Sequence, residues 1–159
     1  MGGAIKLYRG IGCFKQVVHL EPDNWKAMLF ISKCYQSLAN YQHALVWAKK
    51  AFTCSPQSAL AREVGLCAGR MGEFDIGITY IKKAAELSPQ DKLLHFNLGV
   101  LYLLAGNLDA SKKELKRTLL ASRDDVMCKK VLSVIRGIED NTISPPLSEQ
   151  ELIESINML

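Results

Sequence analysis

A chain of 159 residues, 48% of them hydrophobic, is long enough to bury one compact core, about 70% of the surface its unfolded form exposes, which excludes disorder over most of its length. A formal charge of +4, from 20 basic against 16 acidic residues, is too mild an excess to imply nucleic acid or an anionic membrane as partner. Five scattered cysteines (Cys13, Cys34, Cys54, Cys67, Cys128) lack the short paired spacing of a zinc or redox site; they read as small buried hydrophobes in a reducing, cytoplasmic or otherwise intracellular compartment. No charged stem with an apolar core and cleavage site opens the chain. The longest apolar run, Leu98 to Ala105, is far shorter than the roughly 18 to 20 residues of a membrane span. Met1-Gly2 invites N-myristoylation, but Lys6 stands where that motif needs Ser or Thr.

In chain order, the first element is a helix from about Leu7 to Leu20, with Gly2, Gly3, Gly10 and Gly12 weakening helix propensity around its start. Pro22, Pro56 and Pro89 then stand 34 and 33 residues apart, and between them the same grammar recurs. Apolar and small residues fall at helical spacing, a tight turn intervenes at Ala39-Asn40, Gly72-Glu73 and Gly106-Asn107, and proline ends the second helix in two of the pairs. A small residue recurs in each first helix, at Ser32, Gly65 and Gly99, with an aromatic three residues on at Tyr35 and Tyr102 but Ala68 between. Second helices open on Tyr41, Phe74 and Leu108 and carry small residues at Ala44, Gly77 and Ser111. Small residues at such crossings let helix backbones come close, and glycine at the turn supplies a left-handed conformation. A hairpin of this kind cannot bury its own apolar face, so copies must stack.

The joint recurrence at this period resembles the tetratricopeptide repeat family. The resemblance implies an all-α fold, a right-handed superhelical solenoid of antiparallel helix pairs. Residues 1–140 would form it, as a half repeat (4–22), three repeats (25–56, 58–89, 92–123) and a capping helix (126–139) opened by Asp124-Asp125. The lone N-terminal half repeat is either a frayed start, a cut from a longer array, or an edge for self-association. Residues 141–159 read as a linker, NTISPP, and a short acidic amphipathic helix opened by Ser148 and Glu151 as a capping box.

No nucleophile beside a base, glycine-rich phosphate loop or metal-ligand cluster is present, so neither catalysis, metal nor cofactor is expected. His95 reads as a hydrogen-bonded packing histidine. The doublets Lys49-Lys50, Lys82-Lys83 and Lys116-Arg117 recur at repeat spacing and could meet phosphates, but a solvated outer face near helix C-termini accounts for them, and no stacking aromatics are evident there.

In the family the resemblance points to, first helices line the concave side, where ligand peptides lie. The matching positions are Lys26, Leu29, Phe30 and Lys33 in the first repeat, Arg62, Glu63, Leu66 and Arg70 in the second, and Leu93, Phe96, Asn97 and Val100 in the third, with Leu103 and Leu104 beyond them. This groove is basic at one end and apolar at the other. The family's carboxylate clamp for chaperone C-termini needs Lys and Asn, then Asn, then Lys and Arg; Leu29 and Lys33, Glu63, and Leu93 and Asn97 break it. The implied function is a non-catalytic adaptor holding a partner's peptide or helical segment. Two rivals are a chaperone for secreted proteins and a nucleic-acid binder working through the lysine stripe. The acidic tail helix is expected either to occupy the groove or to cap the solenoid.

Overall fold

The computed structural model describes residues 2–159; Met1, and with it the Met1-Gly2 motif as a unit, lies outside them. Among the described residues there are nine helices and no strand: α1 (Gly2–Leu20), α2 (Trp25–Ser37), α3 (Tyr41–Cys54), α4 (Ser58–Arg70), α5 (Phe74–Leu87), α6 (Lys92–Leu104), α7 (Leu108–Ala121), α8 (Val126–Glu139) and α9 (Glu149–Asn157). Each helix packs on the next in the chain, α1 on α2 through to α8 on α9, so consecutive helix pairs stack into an all-helical solenoid.

The turns within pairs share one device. The amides of Asn40, Glu73 and Asn107 donate to the carbonyls of Tyr35, Ala68 and Tyr102 at 2.8 to 3.0 Å, which closes the first helix through a residue in the left-handed region. Gly72 (φ +79°) and Gly106 (φ +80°) take that conformation freely, whereas the first pair uses Ala39 (φ +54°), at a cost of about 1 to 2 kcal/mol for a residue with a Cβ. The following helices are capped by Asn40 and Asn107, whose side-chain oxygens accept from the His43 and Ala110 amides. Such a cap contributes about 1 kcal/mol.

Within each pair the helices cross where a side chain is absent or very small. A Cβ on Gly65 would sit 2.6 Å from Ile81 Cγ1, and one on Gly99 would sit 2.7 Å from Leu115 Cγ. Ser32 and Ser111 go further, their buried hydroxyls donating across the pair to the carbonyls of Ala44 (2.8 Å) and Gly99 (2.6 Å). Ile81 and Leu115 lie against these glycines and are fully buried, each contributing about 1.5 to 3 kcal/mol.

Two expectations need correction. Helix α1 begins at Gly2 rather than near Leu7; once Ile11 and Phe14 are packed on the first repeat, each further residue adds a backbone bond at little cost, and the outlying glycines follow. The cysteines are not uniformly buried: Cys67 and Cys128 are, Cys34 is half-buried, and Cys13 and Cys54 are exposed. Burial pushes the Cys67 and Cys128 thiols from 9.0 up to about 11. Their protonated forms therefore support the fold fully below pH 9.0, and that support is lost as pH climbs through about 11.

Two sets of measurements check this account. In thermal melts, Gly65→Ala lowers stability by about 1 to 3 kcal/mol, because overpacking against Ile81 outweighs the gain in helix propensity. By contrast, Gly12→Ala, where nothing lies within 4 Å of an added Cβ, raises stability by about 1 kcal/mol, and Ala39→Gly does so by a similar amount. Iodoacetamide at about pH 8 modifies Cys13 and Cys54 in the native protein, and Cys67 and Cys128 only after denaturation, as read by peptide mass spectrometry.

Candidate functional site

The first helices approach one another across repeats, α4 touching α6 and α6 touching α8, as on the inner side of a curved stack. Along α2, the Lys26 ammonium lies 5.6 Å from the centre of the Trp25 ring. Leu29 packs against the buried cluster of Met28, Ala51 and Leu60. Phe30 is 52% exposed and stacks on Phe14 of α1, with centroids 5.0 Å apart and planes inclined by 6°.

Glu63 changes the charge reading of this surface. One of its oxygens lies 3.5 Å from Lys33 Nζ, and the other accepts from Gln36 Nε2 at 3.2 Å. A carboxylate sunk between α2 and α4 thus neutralises Lys33, and the free positive charge shifts to α4. There Arg62 is half-buried with no ion-pair partner among the described residues. Arg70 lies with its guanidinium carbon 5.5 Å from the Tyr41 ring centre and its Nε 3.3 Å from a Glu149 oxygen.

Between α4 and α6 lies a hollow of about 370 Å³, counting space open to solvent, lined by Leu66, Gly69, Arg70, Phe96, Asn97, Val100, Leu101, Leu104 and Glu149. Its floor approaches closely because Gly69 has no side chain: a Cβ there would sit 2.6 Å from Leu101 Cδ2. Six of the residues singled out from sequence, Leu66, Arg70, Phe96, Asn97, Val100 and Leu104, meet in this one place. Leu93 lies at a second, more open hollow with Lys92, Phe96, Thr118, Asp125 and Met127. Lys26, Leu29, Phe30, Lys33, Arg62 and Glu63 line neither.

Helix α9 caps the solenoid and reaches the groove only at its edge. Leu152 and Ile156 are buried with Leu103, Leu104, Val131, Val134 and Ile135, so they close the end of the solenoid. Leu103 and Leu104, assigned to the open groove, are instead covered, at 1% and 7% exposure. At its other end α9 places Glu149 on Arg70, at the edge of the hollow. Ser148 starts the helix by accepting from the Glu151 amide at 3.2 Å, while Glu151 accepts from the Leu147 amide at 2.8 Å. That signature is in the sequence; the Arg70 to Glu149 pairing, across 79 residues, left no mark there.

Elsewhere, His95 Nδ1 and Glu114 Oε2 are 2.8 Å apart and Arg117 holds the other Glu114 oxygen at 3.0 Å, so the histidine is a packing group tied to α7. The lysine stripe does carry aromatics, contrary to expectation: Lys50 lies 4.5 Å from the Trp47 ring centre and Lys83 lies 4.7 Å from that of Tyr80. These rings also pack on the core, Tyr80 edge-on to Phe52 at 5.6 Å, with lysines laid over them. Among the described residues no group of three or more His, Cys, Asp and Glu could hold a metal, and no helix is long and apolar enough to cross a membrane.

No protein-family model matches the chain, and no curated protein does. Solved structures do. MamA aligns with a TM-score of 0.76 at 16% identity, over 92% of this chain and 82% of that one. YrrB, described as a TPR protein with an unusual peptide-binding site, aligns with a TM-score of 0.74 at 14% identity, over 96% and 75%. The first TPR of Spaghetti (RPAP3), bound to the HSP90 peptide SRMEEVD, aligns with a TM-score of 0.67 at 15% identity, over 73% and 95%. At such identities the likeness establishes the fold, a tetratricopeptide-repeat solenoid.

Proposed function

We propose that this chain is a non-catalytic interaction module, an adaptor that holds a segment of a partner protein in the groove lined by α2, α4 and α6. The hollow between α4 and α6 carries the reading: an apolar floor of Leu66, Phe96 and Val100 with a cation, Arg70, at its rim, the arrangement by which a groove anchors side chains and orders charge. YrrB and the Spaghetti module, two proteins of the same fold, are described with a peptide-binding site or a bound peptide. Glu63 and Leu93, on the inner helices, stand against a chaperone C-terminus as the occupant, since a fixed carboxylate and an apolar side chain replace groups that would hold a terminal carboxylate. In the outer stripe, Lys50, Lys82 and Lys83 lie over Trp47, Tyr102 and Tyr80, and Arg117 pairs with Glu114, which makes a phosphate-tracking stripe the weaker reading.

Affinity capture from native lysate tests the groove. Arg62→Glu and Phe96→Ala each weaken capture of a specific partner by about 2 kcal/mol, roughly 30-fold, while circular dichroism shows both variants folded. Retention of every specific partner by both variants refutes the groove.

A further inference from the structure

We propose that the segment this groove takes is an acidic amphipathic helix, which lies along Leu66, Phe96 and Val100 and sets a carboxylate on Arg70 in place of Glu149. The inference rests on the groove reading above and names the class of occupant. Helix α9 is its precedent within the chain. It seats Leu152 and Ile156, one helical turn apart, on the same row of first helices, and turns Glu149, one residue short of a turn before Leu152, onto Arg70. All the charged side chains of α9 are acidic, at Glu149, Glu151 and Glu154.

The open stretch beyond Glu149 repeats the same demand. Arg62 and Arg70 stand eight residues apart on α4, about 12 Å along its axis, which is a little over two turns of a helix lying alongside. Phe96 and Val100 are one turn apart on α6 and face the hollow beside Leu66. A helix with apolar residues one turn apart and carboxylates along its flank therefore suits both walls. Glu63, the one carboxylate on α4, is already held by Lys33 and Gln36, so it leaves Arg62 and Arg70 to the incoming acids. Arg70 is the shared position: partner and tail compete for it.

The test uses the full chain and fluorescence anisotropy with a labelled synthetic peptide of sequence LSEQELIESINML, the chain's own residues 147–159, and a second peptide with lysine at each glutamate. The acidic peptide binds at least about tenfold more tightly than its lysine counterpart. Glu149→Gln, which frees Arg70 while leaving Leu152 and Ile156 seated, tightens binding of the acidic peptide about threefold. Both Arg70→Glu and Phe96→Ala weaken it by about tenfold or more. Equal affinity for the two peptides overturns the proposal, as does indifference to Glu149→Gln. So does an unchanged affinity in Phe96→Ala, the mark of a peptide that only exchanges with α9 in its own seat. If lysate capture is lost in Arg62→Glu while the two peptides bind equally, the groove stands and only the helix assignment falls; if capture persists, the groove itself falls.

Discussion

The structure depends on a contact made where side chains are missing. Gly65 against Ile81 and Gly99 against Leu115 bring paired helices so close that a single added methyl group would overlap the neighbour. Where serine replaces glycine, its hydroxyl is spent on the opposite backbone, as Ser32 does on Ala44, so a small polar residue serves the same crossing without an unpaired donor. Because this crossing recurs from pair to pair, each pair meets the next in nearly the same orientation. A small constant rotation then builds a curved stack whose first helices face inward.

Curvature creates the groove, but charge pairing decides what it offers. Four basic residues lie on α2 and α4, yet Glu63 removes one and the tail engages another. A carboxylate with 13% of its side chain exposed is held more firmly than the exposed pair of Arg70 and Glu149, whose partners stay in water and gain little from meeting. The Lys33 contact is therefore part of the framework, while the Arg70 contact is exchangeable. The apolar half divides similarly: Leu103 and Leu104 are committed to α9, whereas Leu66, Phe96 and Val100 keep accessible faces.

Much of this was legible in the sequence because it is local or periodic. The 33 to 34 residue spacing, the turns at Gly72 and Gly106, the caps at Asp125 and Ser148 and the small residues at crossings are steric requirements written into single positions. The aromatics of the outer face show where such reading fails. Trp47 and Tyr80 sit three residues before Lys50 and Lys83, a helical turn that brings them together, but the sequence does not say which side of the helix is outward. The start of α1 differs from its expected place for a related reason: propensity counts glycines, while tertiary packing of Ile11 and Phe14 sets the length of the helix.

By itself, the sequence determined the all-helical repeat architecture and the positions of turns and caps, which follow from backbone sterics and helical periodicity acting over a few residues; the row of residues on each first helix came as an expectation from the family resemblance. Only the tertiary structure decided which of those residues stay open, which cations stay unpaired, and where the tail goes. Those outcomes depend on meetings such as Lys33 with Glu63 and Arg70 with Glu149. Each joins groups far apart in the chain, whose distance is set by the accumulated curvature of the stack.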